Sequence, residues 1–90
     1  MADVIKRATA GTMESSDAYV EISPSESGKL EITLDSVVMQ QFGESIMQVV
    51  EEVLTSCGVK AAKVNVIDKG ALDCVIRARV ETAVMRGKGE

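Results

Sequence analysis

The chain has no histidine and no tryptophan, and its only aromatic residues are Tyr19 and Phe42. Without histidine it lacks the commonest general base and the commonest metal ligand. A core without large rings has to be built from Val, Ile, Leu, Ala and Met. Proline occurs once, at Pro24, so nothing here suggests a proline-rich linker. No apolar run approaches the roughly 20 residues of a membrane span, and the opening Met1-Ala-Asp-Val-Ile-Lys-Arg7 lacks the long apolar centre of a secretory signal. A cytoplasmic protein is expected. Positive charge is also short, with a net charge of −4, which argues against nucleic acid or an anionic membrane as the main partner.

What is present is compact and ordinary. Ninety residues suggest one domain spanning 1–90. A chain of this size buries only about 60–65% of its unfolded surface, which leaves little room for an enclosed active site and its supporting shell. Self-contained catalysis is disfavoured. Charge is uneven: residues 1–59 sum to −7 and residues 60–90 to +3. The acidic part offers either a docking surface for a basic partner or simply a solvated face. Cys57 and Cys74 show neither the CxxC spacing nor the histidines of a metal set, and each sits in an apolar pattern, so both are expected as buried core thiols.

Periodicity organises the chain. Lys29-Leu-Glu-Ile-Thr-Leu34 alternates strictly, with Leu30, Ile32 and Leu34 on one face, as in a half-buried strand. Ala18, Val20 and Ile22 alternate likewise. The intervening Pro24-Ser-Glu-Ser-Gly28 has turn composition, so a hairpin is expected between these two strands. Residues 4–13 suggest a weaker first strand. From Val37 to Cys57 the period becomes 3.6, with Val38, Phe42, Ile46, Val49, Val50, Val53, Leu54 and Cys57 on one face. Asp35 or Ser36 is the expected N-cap, Gly58 the expected stop, and Gly43 is expected to pack closely on the sheet. Residues 61–67 read as another strand. The alternation of Leu72, Cys74, Ile76, Ala78 and Val80 reads as a further long strand, with a helical turn near 81–86 and a frayed tail at 86–90. The expectation is an α+β, two-layer domain of order β-β-β-α-β-β, with one long helix on a largely antiparallel sheet.

Little of this carries chemistry of its own. Glu51 and Glu52 point about 100° apart on a helix, so they make a solvated face and no shared-proton pair. Gly87-Lys-Gly89 is too short for a phosphate loop. Arg77 and Arg79 fall on one strand face in the expected order, where cross-strand ion pairs are their natural use. Asp68 and Lys69 fall in a turn. The chain has eight serines, and with no histidine to activate a hydroxyl, a modified serine is a better reading than a nucleophilic one. Ser36, in Leu34-Asp-Ser-Val-Val38, echoes the Asp-Ser-Leu site of ordinary acyl carriers, but those are helical bundles, and Asp-Ser before an apolar run is also an N-cap.

Three blocks carry a more specific resemblance. Gly11-Thr-Met-Glu-Ser-Ser-Asp17, Gln41-Phe-Gly-Glu44 and Asp68-Lys-Gly-Ala-Leu-Asp-Cys74, the last followed by Ile76-Arg-Ala-Arg79, stand in the order and at the spacing of one family. Over residues 8–86 the chain resembles the citrate lyase acyl carrier protein family, the gamma subunit of that complex. The resemblance implies a non-catalytic carrier whose serine after Glu14, Ser15, is joined by a phosphodiester to 2'-(5''-phosphoribosyl)-3'-dephospho-CoA. Ser16 stands where some relatives have glycine, so two adjacent hydroxyls are on offer. It further implies three partners: an attachment enzyme, an alpha subunit that exchanges acetyl for citryl on the arm's thiol, and a beta subunit that releases oxaloacetate and uses magnesium. A sibling carrier role in another lyase or a decarboxylase remains open.

Residues 11–17 have the character of an exposed connection, which is what such an attachment point needs. Glu14 and Asp17 flank Ser15. Their charge either keeps an anionic arm from folding back or serves the turn and the attachment enzyme's recognition. The residues alone also allow a reading from another class, a small α+β regulatory or oligomerisation domain with no prosthetic group.

Overall fold

A computed structural model describes residues 5–89. Strands β1 (Ala8–Gly11), β2 (Ala18–Ser23) and β3 (Leu30–Ser36) are followed by helix α1 (Met39–Ser56), strand β4 (Ala62–Asp68) and helix α2 (Asp73–Gly87). The class is α+β, with a four-stranded sheet of order β1-β2-β4-β3 under two helices. β1 with β2 and β2 with β4 run antiparallel, and β3 with β4 runs parallel, so the sheet is mixed.

Three expectations change. First, β2 and β3 are not a hairpin, because β4 lies between them. Ala62, Val64 and Val66 of β4 are all but inaccessible, whereas Leu30, Ile32 and Leu34 of β3 are only half-buried. The strand whose inward side chains are most completely buried takes the centre, and the strand with the cleanest alternation takes an edge. A parallel neighbour needs a crossover connection, which α1 supplies.

Second, residues 73–87 are helical. Ile76, Val80, Ala83, Val84 and Gly87 are the buried set, a spacing of four, three, one and three that only a helix brings to one face. The β-branched residues that imitate strand alternation are overruled by this face, and Asp73 in the first turn and Arg86 in the last suit the helix dipole. Within the stretch expected to fray, Gly87 is buried and its carbonyl accepts from the Lys6 amide at 2.8 Å, the Arg86 side chain donates to the Thr9 carbonyl, and Glu90 lies outside the described residues.

Third, neither cysteine is a buried core thiol, although Cys57 packs against the core from its margin. Cys74 is exposed on α2 and Cys57 is half-buried at the end of α1. Phe42 is 56% exposed, and Gly43 is covered by Met39, not by the sheet.

The core is otherwise the aliphatic one expected. Val20 and Ile22 of β2 and Val64 and Val66 of β4 meet Val50 and Leu54 of α1 and Ile76, Val80 and Val84 of α2. The other side of the sheet, with Tyr19, Glu21, Asn65 and Ile67, stays half-open. α1 ends as expected at Gly58, with φ +75°. The Val59 amide reaches the Leu54 carbonyl and the Gly58 amide that of Thr55, a Schellman closure. Its start differs, since Val38 is the N-cap and has no side-chain capping bond.

The register brings three connections together. Gly11 ends β1, Ala18 starts β2, and Ser36 and Asp68 finish β3 and β4 side by side. One end of the sheet thus carries the 12–17 connection, the entry to α1 and the 69–72 connection into α2.

Candidate functional site

The 12–17 connection is a built turn. The Asp17 amide donates to the Glu14 carbonyl at 3.1 Å, closing four residues with Ser15 and Ser16 at the centre. Ser16 has φ +66°, the left-handed value that a type II turn requires of its third residue. This is also the position the sequence resemblance pairs with glycine. The Ser16 amide then donates to the Lys69 carbonyl (2.8 Å), and the Lys69 amide to the Asp17 carbonyl (2.9 Å). Two residues therefore face one, which is a β-bulge of the kind that places a left-handed residue first.

Asp17 holds the turn to the rest of the molecule. Its Oδ2 accepts the Thr12 hydroxyl at 2.6 Å, and its Oδ1 accepts the Ala18 amide at 2.7 Å. Arg79 of α2 donates to both oxygens, Nε to Oδ1 and Nη2 to Oδ2, each at 3.0 Å. The Arg79 hydrogen bonds above all, then the Thr12 hydroxyl and the Ala18 amide, hold the Asp17 carboxyl far below the usual carboxylate range. Of the two uses the sequence allowed for Asp17, the structural one is realised: its charge is matched and it organises the turn. Glu14 remains exposed.

Gly11 makes this arrangement possible. It has φ +91°, and a Cβ there would lie 1.9 Å from the Ala18 carbonyl oxygen and 3.0 Å from Cδ of Arg79. Only glycine lets β1 approach β2 closely enough for Arg79 to cross over and reach Asp17. The Gly-Thr-x-Glu-Ser-Ser-Asp block is therefore a structural sentence: Gly11 for approach, Thr12 and Asp17 as anchors, Glu14 to Asp17 as the turn.

Ser15 and Ser16 are both exposed, and neither hydroxyl has a hydrogen-bond partner among the described residues. Ser36 is different. Its hydroxyl donates to Oδ2 of Asp68 at 2.7 Å and accepts from the Val38 amide at 3.1 Å. Asp68 is only 1% exposed, and its Oδ1 also accepts the Gly70 and Ala71 amides. Ser36 and Asp68 thus tie β3, β4 and both following loops together, and Ser36 is a structural residue. Arg77 and Arg79, expected side by side on a strand, are separated by the helix: Arg77 pairs with Glu52 of α1 and Arg79 with Asp17. The Asp17–Arg79 pair spans 62 positions, and no local pattern in the sequence announces it.

Residues 5–87 match an acyl carrier family model described as malonate decarboxylase delta subunit (MdcD). The chain is 58% identical over 79 residues to the citrate lyase acyl carrier protein of Vibrio cholerae serotype O1 (strain M66-2), covering 88% of this chain and 81% of that one. It is 53% identical over 83 residues to that of Pectobacterium carotovorum subsp. carotovorum (strain PC1), covering 92% and 85%. This chain belongs to the citrate lyase acyl carrier protein family. A chain in the crystal structure of a Pseudomonas malonate decarboxylase hetero-tetramer in complex with malonate has the same fold, with TM-score 0.79 and 25% identity over 94% of this chain and 87% of that chain.

Membership makes the chain an acyl carrier, a non-catalytic subunit of a lyase that works through a covalently attached prosthetic group. The regulatory or oligomerisation reading is set aside. The structure itself shows an anchored turn with two exposed serine hydroxyls at one end of the sheet.

Proposed function

We propose that this chain carries acetyl and citryl groups for citrate lyase on a 2'-(5''-phosphoribosyl)-3'-dephospho-CoA arm joined to Ser15. The observation that carries this reading is the contrast between the two serines in carrier-like contexts. Ser15 sits at the second position of an anchored turn with its hydroxyl exposed and uncommitted, while the Ser36 hydroxyl is spent on Asp68. The surroundings of Ser15 fit a large anionic group: the turn is open to solvent and the charge of Asp17 is matched by Arg79. Identities of 58% and 53% to citrate lyase carriers, against 25% to the malonate decarboxylase chain, favour the citrate branch.

In loading, the Ser15 oxygen forms the new O–P bond to an activated phosphate ester of the arm. The bond from phosphorus to the precursor's leaving group breaks, and the serine proton passes to the attachment enzyme. The arm supplies a terminal thiol that holds the acyl group as a thioester. The chain's own residues fix the anchor: Asp17, Arg79 and Thr12 keep the turn rigid, and Gly11 keeps it in place. A tether anchored this way gives each partner a high effective concentration of substrate. The proposed partners are the alpha subunit (acyl transferase), the beta subunit (citryl lyase) and the attachment enzyme. The proposed compartment is the cytoplasm, and no described helix is long and apolar enough to cross a membrane.

The test is intact mass followed by peptide mapping, on protein made together with the attachment enzymes. A coenzyme-A-like adduct on Ser15, lost in Ser15→Ala and kept in Ser16→Ala, is expected. An unmodified chain, or an adduct on Ser36, overturns the assignment.

A further inference from the structure

The attachment turn is completed by one residue from elsewhere in the chain. Lys69 accepts from the Ser16 amide and donates to the Asp17 carbonyl, so it is the residue opposite the bulge. In a bonded cross-strand pair the Cα atoms lie about 5.5 Å apart, which places the root of the Lys69 side chain one strand spacing from the turn. Its backbone is held firmly, because the preceding Asp68 is buried and fastened by Ser36, Gly70 and Ala71. The stem of Lys69 is half-buried.

The other cation at the turn is already committed. Arg79 is committed to Asp17 through two hydrogen bonds. The Lys69 ammonium has no ion pair or hydrogen bond among the described residues. Converting the neutral Ser15 hydroxyl into a phosphodiester adds a negative charge beside exposed Glu14, and like charges this close oppose one another unless a cation intervenes. Lysine suits the task, being a compact point charge on a flexible four-carbon stem that can follow a phosphate.

We propose that Lys69 is the phosphate-recognition residue of this carrier, its ammonium pairing with the phosphodiester made on Ser15. The inference rests on the Ser15 reading. The pairing fixes the direction in which the arm leaves the protein and neutralises the charge introduced by loading. Lys69 acts on the arm by position and charge, and takes no part in acyl transfer.

The test uses the whole chain, unloaded and loaded by the attachment enzymes, and has three readouts. In side-chain nitrogen NMR the Lys69 ammonium resonance shifts on loading, while that of Lys60, at the opposite end of the sheet just before β4, does not. In phosphorus NMR the diester resonance moves between loaded wild type and Lys69→Met. Loading followed by intact mass is roughly fivefold slower in Lys69→Met at low salt, Lys69→Arg restores most of the rate, and the difference shrinks at high salt. A Lys69 resonance indifferent to loading, or a Lys69→Met variant with wild-type phosphorus shift and loading rate, overturns the proposal. An adduct mapped to Ser16 overturns the Ser15 assignment while the NMR readouts still judge Lys69. Absence of adduct from both serines overturns both.

Discussion

Replacing Gly11 by alanine tests whether the proposed attachment turn depends on the close approach of β1 to β2. The new Cβ would lie 1.9 Å from the Ala18 carbonyl oxygen, whereas real Cβ contacts essentially never fall under 3.0 Å. Relief requires a movement of more than 1 Å somewhere along a paired stretch in which Gly11 faces Tyr19. A left-handed backbone costs an alanine roughly 1–2 kcal/mol. Displacing the strands adds strain of order 1–3 kcal/mol, for a total of about 2–5 kcal/mol. In a domain of this size that lowers Tm by roughly 8–40 °C. Gly58→Ala separates the two contributions, because Gly58 has φ +75° but a Cβ there meets nothing within 4 Å. It should lose only about 1 kcal/mol. Urea denaturation of both variants gives the comparison, and loading at Ser15 should fall in Gly11→Ala alone, since Cδ of Arg79 lies against the same Cβ position. If the two variants unfold within about 0.5 kcal/mol of each other, the close-approach argument fails.

The Asp17–Arg79 pair makes an acid-sensitive contribution. Because the folded carboxyl titrates far below its ordinary 3.8, the unfolded state takes up the proton first, so the stabilisation is complete above about pH 4–5 and is lost as pH falls toward the folded value. Wild type should therefore lose stability below pH 4 more steeply than Asp17→Asn, and parallel urea midpoints from pH 7 to pH 2 would refute the assignment. Ser36→Ala removes a hydrogen bond from nearly inaccessible Asp68 and should cost about 1–3 kcal/mol by denaturation. It should still load at Ser15. Leu54→Ala, at a position with no exposed surface, should cost about 2.5–5 kcal/mol. Phe42→Ser, at an exposed position, should stay within about 0.5 kcal/mol, and a larger loss would place Phe42 back in the core.

Phe42 also shows how far periodicity carries. Its spacing puts it on the apolar stripe of α1, yet that stripe outruns the sheet beneath it, and the first turn of the helix projects past the core. The alternation at 18–23 and 30–34 and the 3.6 period of α1 were legible because each element's pattern reflects one local geometry. Residues 72–80 were not, because valine, isoleucine and cysteine fit both periods over a short window. The helix becomes visible only when Ala83, Val84 and Gly87 are counted with Ile76 and Val80. Strand order was illegible for another reason. A short connection such as 24–29 permits a hairpin without demanding one, and β4, carrying Ala62, Val64 and Val66 on its inward face, took the place between β2 and β3.

For the proposed attachment site the division runs differently. The motif around Ser15 was readable as a family likeness, since Gly11, Thr12, Glu14, Ser15 and Asp17 are contiguous and their chemistry is local. The absence of histidine already pointed away from catalysis and toward a modified serine. What holds the turn came only with folding, because Arg79 and Lys69 are brought to it by α2 and β4 from more than fifty positions away. Local sequence encodes dihedral preferences, turn chemistry and hydrophobic period. Which distant charge meets Asp17, and which serine stays free, depends on the packing of elements that only the assembled core brings together.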